Sequence, residues 1–118
     1  MKQPIRVLIV DDQPSVRKGL KALLAFYPEI LVVGEAVNGE EAIQSIVEQQ
    51  PQVVVMDLQM PMMDGVTATR QIKTRWPAIK VIILTVQATR RSEALAAGAD
   101  IFLLKGNGPE ALQHAILN

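Results

Sequence analysis

Short apolar runs alternate with amphipathic stretches along the whole chain. Five runs have the length of strands and cover residues 5–10, 30–33 with 35–37, 53–56, 79–84 and 101–104. Gly34 divides the second run and is a candidate break in that strand. The other four runs are almost continuously apolar, which is typical of strands that are buried on both faces of a sheet.

A helical stretch follows each strand. Residues 14–26 carry apolar side chains at helical spacing and begin at Pro14, and Asn38 is a candidate cap for a second helix that Pro51 ends. Three further helices are predicted: from the loop at Gly65 to about residue 74, over residues 92–97, and from Pro109 onward. Five strand-then-helix units in series predict an α/β fold, with a parallel sheet covered by helices on both faces.

Length and composition narrow the class of protein. A chain of 118 residues suits one compact domain, and no apolar run approaches the roughly 20 residues that cross a bilayer. The first strand begins so early that no room is left for a signal peptide. The lack of cysteine agrees with a cytoplasmic location. Twelve basic and twelve acidic residues cancel, so we do not expect this segment to bind nucleic acid directly.

Reactive side chains follow four of the five predicted strands. Asp11 and Asp12 follow the first strand, Asp57 the third, Thr85 ends the fourth, and Lys105 follows the fifth. In an open parallel sheet, ligands bind beyond the carboxyl ends of the strands, where the winding direction reverses. We therefore expect three carboxylates, a hydroxyl and an ammonium group to converge at one edge of the sheet.

Three carboxylates in one pocket repel each other, so a cation is needed to compensate their charge. Lys105 supplies one positive charge, and a divalent ion would supply two more. Oxygen ligands suit Mg2+ better than zinc or copper. An aspartate beside such an ion can accept a phosphoryl group covalently, while Thr85 and Lys105 contact the phosphoryl oxygens. The residues thus predict a phosphoryl-accepting site.

Four segments resemble the receiver domains of bacterial two-component response regulators. They are residues 7–12 (Val-Leu-Ile-Val-Asp-Asp), 56–65 (Met-Asp-Leu-Gln-Met-Pro-Met-Met-Asp-Gly), 84–85 (Leu-Thr) and 97–105, which end in Lys105. The resemblance spans the entire chain. Residues 32–36 with Asn38-Gly39 are further similar to the LuxR/FixJ-type subgroup, whose members carry a DNA-binding helix-turn-helix domain. The resemblance to receiver domains implies a flavodoxin-like, doubly wound, five-stranded parallel sheet with strand order 2-1-3-4-5.

The resemblance also implies a role for each residue of the site. Asp57 would be the phosphorylated residue, and Mg2+ would bind Asp12, Asp57 and the main-chain carbonyl of Gln59, with Asp11 helping through water. Thr85 and Lys105 would contact the phosphoryl group. Thr85 and Phe102 would form the conformational switch, with Phe102 filling the space that Thr85 vacates.

The implied partners follow from the same family. A sensor histidine kinase would donate the phosphoryl group, and phosphorylation would promote homodimerisation. The protein would be a switch rather than an enzyme, able at most to promote its own phosphorylation and slow dephosphorylation. Control of transcription would pass through a C-terminal DNA-binding domain that the 118 residues do not contain.

Four features depart from the usual receiver pattern. Val86 follows the threonine where a small residue is common. The interval from Thr85 to Gly98 is shorter than usual, which predicts that either the fourth helix or the loop before it is trimmed. Gly106 follows Lys105 where many receivers have a proline, and the sequence ends with the fifth helix.

Simpler structural roles compete with the functional ones. Asp12 could cap the first helix, Thr85 could merely extend its strand, and Phe102 could be plain core. Asp64 and Gly65 are interpreted as structural, the first as a helix cap and the second as the residue that permits a tight turn.

Two rival functions remain at this point. One is a degenerate receiver that binds partners without phosphorylation, which Val86 and the short fourth helix favour. The other is a Mg2+-dependent phosphatase, which the absence of an acid at Gln59 and of a cap domain disfavours. Within the switch hypothesis, Gln59 and Gln87 are predicted to tune the attack of water on the acyl phosphate.

Overall fold

The computed structural model describes residues 3–118, and its centre is a five-stranded sheet. The strands lie in the order β2-β1-β3-β4-β5, and every neighbouring pair is parallel. The strands are β1 Ile5–Val10, β2 Ile30–Ala36, β3 Val53–Met56, β4 Lys80–Thr85 and β5 Ile101–Leu104. The predicted sheet type and strand order are therefore confirmed.

Each strand is followed by a helix. The helices are α1 Pro14–Leu24, α2 Gly39–Gln49, α3 Gly65–Arg75, α4 Arg91–Ala96 and α5 Pro109–Leu117. Two short 3-10 turns, Ala88–Arg90 and Lys105–Asn107, come before α4 and α5. Among residues 3–118, no helix is both long and apolar enough to cross a membrane.

Local sequence signals explain where several helices begin and end. Prolines stand in the first turn of α1 and α5, where a missing N–H costs no helical hydrogen bond. Asn38 caps α2, because its side chain accepts a hydrogen bond from the N–H of Glu41 at 2.9 Å. Asp64 caps α3 in the same way, through the N–H of Thr67 at 3.0 Å. Both predicted caps are confirmed.

Two hydrophobic layers cover the faces of the sheet. Alternate residues of β1 point to opposite sides, as Leu8 and Val10 join the layer with α2, α3 and α4, whereas Val7 and Ile9 join the layer with α1 and α5. The central strands β3 and β4 divide between the two layers in the same way. This arrangement fixes the helices and leaves the carboxyl edge of the sheet free for polar side chains.

Three details differ from the expectation. Strand β5 is only half-buried along its length, because it is an edge strand, so its predicted burial on both faces is wrong. Gly34 does not break β2; the strand continues, and its register with β1 shifts between Val32 and Gly34, which leaves Val33 as a bulge. Strand β4 begins at Lys80, one residue later than predicted.

The fourth helix is short, as one of the two alternatives for this segment predicts. Helix α4 has six residues, whereas α1, α2 and α3 have 11 each. A helix of this length is not stable alone and depends on tertiary contacts, among which Ala94 provides the buried one.

Replacement of Asn38 by alanine should lower the free energy of unfolding by about 1 kcal/mol, the usual cost of a lost N-cap. Urea unfolding followed by circular dichroism measures this difference. Gln44→Ala, on the exposed side of the same helix, is the matched control and should leave stability unchanged or slightly raised. Equal unfolding midpoints for the two variants would contradict the capping role.

Candidate functional site

Three carboxylates meet at the carboxyl edge of the two central strands. β1 and β3 are adjacent and in register, with Val10 paired to Met56, so Asp11 and Asp57 leave the sheet side by side. Ligand oxygens of Asp11, Asp12 and Asp57 all lie within 4.8 Å of one another. The predicted convergence of the acidic residues is thus present in the structure, and the group could hold a metal ion.

Burial differs sharply among the three acids. Asp11 is 2% exposed and Asp57 is 7% exposed, whereas Asp12 is open to solvent. The N–H of Asp11 donates to the carbonyl of Ala36 at 3.0 Å, and that of Asp57 donates to the carbonyl of Val10 at 3.1 Å. These main-chain bonds extend the sheet by one residue on each strand and hold the two buried acids in place.

Lys105 compensates the charge of the two buried acids. Its Nζ donates to Asp11 Oδ2 at 2.9 Å and to Asp57 Oδ2 at 3.0 Å. Burial alone would lower the pKa of Lys105, but the hydrogen bonds to Asp11 and Asp57 outweigh it and raise the pKa above its ordinary value. The ammonium group is therefore charged at neutral pH, as the site requires.

The loop around Asp57 is packed too tightly for a side chain at position 65. A Cβ there would collide with the carbonyl oxygen of Asp57 and come within 2.7 Å of Leu58 Cα. Gly65 N–H also donates to the Leu58 carbonyl at 2.8 Å, and Leu58 N–H donates to Asp57 Oδ1 at 2.7 Å. Gly65 is structural as predicted, but the reason is close approach of the main chain rather than positive φ.

Thr85 is fully buried at the end of β4. Its Oγ1 accepts a hydrogen bond from the N–H of Gln87 at 3.2 Å, so its own hydroxyl hydrogen can serve another acceptor. Thr85 pairs with Leu104 across the sheet, directly before Lys105. The strand ladder thus brings the main chain of Thr85 and that of Lys105 to the same edge of the sheet, as expected from the strand ends.

The acids open into a cleft of about 270 Å³. The cleft is lined by Asp12, Gln13, Val16, Asp57, Gln59, Val86 and Lys105. Val86 is 72% exposed and forms an apolar wall of this cleft. A larger cavity of about 400 Å³, between Gln3 and Leu117, holds only one titratable side chain and no cluster of acids. Chemistry rather than volume therefore identifies the functional cleft.

The surroundings of Asp12 and Phe102 bear on the simpler structural roles considered for these two residues. Asp12 does not cap α1, since the N-cap position belongs to Gln13, and the Gln13 N–H donates to Asp11 Oδ1 at 2.9 Å. The capping alternative for Asp12 is therefore wrong. Phe102 is half-buried and packs against the layer that contains α2, α3 and α4, so it is a member of the core edge in this conformation.

Arg17 supports the site and was missed from the sequence. Its guanidinium donates to the main-chain carbonyl of Asp11 at 2.7 Å and to Glu35 Oε1 at 3.0 Å. Lys21 also bonds to Glu35, and this contact does most to lower the pKa of that carboxyl. Arg17 and Lys21 are four residues apart on α1, a spacing that places them on one face and could have indicated a shared acidic partner.

Gln59 and Gln87 form a pair at the cleft that sequence reasoning had only placed nearby. Gln87 Nε2 donates to Gln59 Oε1 at 3.1 Å, which joins the loops that follow β3 and β4. Arg90, which was also missed, donates to Gln87 Oε1 at 3.3 Å and to Asp64 Oδ2 at 3.4 Å. No periodic pattern marks Arg90, because it lies in a 3-10 turn.

The matching family model is the response regulator receiver domain, which covers residues 7–117. The response regulator protein VraR of Staphylococcus saprophyticus is 41% identical over 115 residues, which are 96% of this chain and 55% of that protein. The transcriptional regulatory protein DegU of Brevibacillus brevis is 36% identical and matched over 48% of its length. The chain spans about half the length of the curated relatives it matches.

Solved structures give the same result. A LuxR-family two-component response regulator from Aurantimonas sp. SI85-9A1 superimposes with a TM-score of 0.91 at 35% identity, over 98% of this chain and 84% of that one. The signal receiver domain of the response regulator NarL from Mycobacterium tuberculosis also gives 0.91, at 30% identity, over 98% and 95%. The chain therefore belongs to the family of response regulator receiver domains.

Proposed function

We propose that this chain is the phosphorylation switch of a two-component system. Asp57 accepts a phosphoryl group from a phosphohistidine on a sensor histidine kinase, with Mg2+ bound beside it. The observation that carries the proposal is the placement of the Asp57 carboxylate at the floor of a cleft, within 4.8 Å of two further acids and bonded to Lys105.

The ligand set of the cleft fits Mg2+. All candidate donors are oxygens, and an exposed carboxylate beside two buried ones suits an ion that keeps several water ligands. We assign the direct ligands to Asp12, Asp57 and the main-chain carbonyl of Gln59, with Asp11 acting through water. When bound, Mg2+ would neutralise charge and hold a phosphoryl oxygen in the cleft.

The chain's own groups account for the transfer step. A carboxylate oxygen of Asp57 attacks phosphorus, the bond from phosphorus to the donor's histidine nitrogen breaks, and an acyl phosphate remains on Asp57. Oδ1 accepts from the Leu58 N–H and Oδ2 accepts from Lys105, and we assign the attack to Oδ2 because the Lys105 ammonium can transfer its hydrogen bond to a phosphoryl oxygen. Lys105 then pairs with a phosphoryl oxygen, and the Thr85 hydroxyl donates to another.

The conformational response follows from the contacts of β4 and β5. Phosphorylation adds roughly 1.5–2 negative charges and strong acceptor oxygens. Movement of Thr85 toward them vacates space, which Phe102 fills from the neighbouring strand. Because Phe102 pairs with Ile83 on β4, the change reaches the surface formed by α4, β5 and α5.

The regulatory output that we propose for this switch is taken from the longer relatives. Several relatives are named transcriptional regulators, and one solved structure is a DNA-binding response regulator of the LuxR family from Staphylococcus aureus. We propose that residues 1–118 form a single receiver domain, that phosphorylation drives homodimerisation in the cytoplasm, and that a separate C-terminal domain contacts DNA. The chain is a phosphoacceptor rather than an enzyme that turns over substrate.

A degenerate receiver is the second candidate. Val86, exposed at the wall of the cleft, and the six-residue α4 favour it, because both alter the region that transmits the switch. In that case partner binding would be the same with and without phosphodonor and unchanged by Asp57→Ala.

Incubation with Mg2+ and a small phosphodonor should place one phosphoryl group on the wild-type chain, and Asp57→Asn should abolish it. Intact mass measurement gives the stoichiometry directly. Glu48→Gln is the matched control, because it removes an exposed carboxylate that does not line the cleft. This variant should carry as much phosphoryl adduct as the wild type. A wild-type chain without adduct, or an undiminished adduct on Asp57→Asn, would remove the proposed function.

Replacement of Lys105 by methionine should destabilise the metal-free protein, since two buried carboxylates lose their counter-ion. The expected loss is about 1–3 kcal/mol, less than for a fully buried pair because the Lys105 side chain is 20% exposed. Millimolar Mg2+ should raise the melting temperature more for Lys105→Met than for the wild type. Lys18→Met, at an exposed position of α1, should behave as the wild type does, and equal Mg2+ shifts for both variants would refute the compensation.

The double variant Gln59→Ala/Gln87→Ala should lose its phosphoryl group faster than the wild type, because the amide pair no longer covers the cleft. Decay of the adduct after removal of the phosphodonor, followed by intact mass, measures the lifetime. An unchanged lifetime would show that the pair does not control access of water.

A further inference from the structure

We propose that Arg90 is a positioning residue that fixes the Gln59–Gln87 pair across the mouth of the Asp57 cleft and thereby sets the lifetime of the acyl phosphate. The inference rests on the proposed function, since it concerns the phosphorylated state of the same site. Arg90 touches neither the three carboxylates of the cleft nor the phosphoryl group. It acts on the cleft through a chain of polar contacts.

The first link of that chain is the amide pair itself. Gln59 lies two residues after Asp57 and lines the cleft, whereas Gln87 lies two residues after Thr85. The hydrogen bond between their side chains, at 3.1 Å, is a bridge from one loop to the other. Gln59 is exposed and Gln87 is half-buried, and both lose side-chain entropy when they are held in one arrangement, so a lone hydrogen bond of this kind is weak.

Arg90 supplies the second link. Its NH1 donates to Gln87 Oε1 at 3.3 Å, so the two ends of the Gln87 amide are engaged by different partners. Gln87 N–H also donates to Thr85 Oγ1. With its main chain and both ends of its amide held, Gln87 has one orientation in which its Nε2 faces Gln59.

The guanidinium is itself held by two acids. Arg90 NH2 contacts Asp64 Oδ2 at 3.4 Å, and Arg90 Nε donates to Glu93 Oε1 at 2.9 Å, with a further contact from NH2 to the same oxygen. Burial raises the pKa of Asp64, but the hydrogen bond from the Thr67 N–H and the contact with Arg90 outweigh it. The pKa of this carboxyl therefore lies below its ordinary value. The planar guanidinium spreads its donors over three nitrogens and so reaches Gln87, Asp64 and Glu93 together, whereas the donors of a lysine all radiate from one nitrogen.

The local sequence explains why an arginine reaches this place. The short segment after β4 forms a 3-10 turn over Ala88–Arg90, and α4 begins at once. Gln87 and Glu93 each lie three residues from Arg90 and therefore on its side of the turn and helix. Asp64 uses Oδ1 to cap α3 through Thr67, which leaves Oδ2 for Arg90.

The chemical consequence concerns hydrolysis. A water oxygen attacks phosphorus opposite the Asp57 oxygen, the bond between that oxygen and phosphorus breaks, and the carboxylate and inorganic phosphate are released while the water proton passes to solvent. The water must enter the cleft from solvent, and Gln59 and Val86 are exposed residues of its lining. A fixed amide pair limits that approach, and a mobile pair admits water.

The experiment compares decay of the acyl phosphate in six purified versions of this chain: wild type, Arg90→Ala, Arg90→Lys, Gln87→Ala, Gln87→Ala/Arg90→Ala and the control Arg91→Ala. Each is loaded with a small phosphodonor and Mg2+, desalted and followed by intact mass. We expect Arg90→Ala to shorten the lifetime by about threefold to tenfold, the factor that one or two hydrogen bonds contribute to a rate. Arg90→Lys should shorten it too, because the charge remains but the fork is lost.

The double variant tests whether Arg90 acts through Gln87. If it does, Gln87→Ala/Arg90→Ala decays no faster than Gln87→Ala alone. Arg91→Ala is the matched control, since it removes the same charge from the adjacent exposed position and should keep the wild-type lifetime. A lifetime of Arg90→Ala within about twofold of the wild type, or multiplied effects in the double variant, would overturn the proposal.

A second readout needs no phosphorylation. The side-chain amide NMR signals of Gln59 and Gln87 in the unphosphorylated protein should move toward those of free glutamine in Arg90→Ala and stay unchanged in Arg91→Ala. Unmoved signals in Arg90→Ala would overturn the positioning role. If the wild type takes up no phosphoryl group, the proposed function and the lifetime claim both fail, while these signals alone still decide whether Arg90 orders the pair.

Discussion

Two carboxylates are buried side by side at the edge of the sheet, and the structure depends on how their repulsion is compensated. Asp11 and Asp57 leave adjacent strands at the same level, and both are almost entirely removed from solvent. Burial of like charges is costly unless a cation is bonded to both, and Lys105 is that cation. Because Lys105 bonds to both acids through a single ammonium group, any added anion or divalent cation at this point changes the charge balance of the entire edge of the sheet.

The sheet supplies this arrangement from residues that are far apart in the chain. Lys105 lies 94 residues after Asp11, yet parallel strands in order 2-1-3-4-5 bring both to one edge. The reversal of winding between β1 and β3 keeps helices away from the space above Asp57. Local devices then refine the geometry, since Gly65 lets the loop after β3 approach Asp57 more closely than any other residue could.

Much of this could be predicted because it follows from periodicity and from strand ends. Asp11, Asp57 and Lys105 each stand directly after an apolar run, so their convergence required only a parallel sheet, while the strand order came from the family resemblance. The bulge at Val33 and the half-buried β5 depend on register and edge position, which no apolar pattern encodes. Arg17 and Arg90 were missed for a related reason, because each contacts a carboxylate that is distant in the chain, Glu35 and Asp64 respectively, and the sequence alone does not identify such a partner.

The shortened segment after β4 changes how the site connects to the surface. Helix α4 is too short to be stable alone, and its start is held by the same arginine that contacts Gln87 and Asp64. Since Gln87 N–H also bonds to Thr85 Oγ1, contiguous contacts run from the buried hydroxyl to the first turn of α4. A displacement of Thr85 therefore strains these polar contacts directly. Only residues 86–90 separate β4 from α4, so few main-chain positions can absorb such a displacement before it reaches the helix.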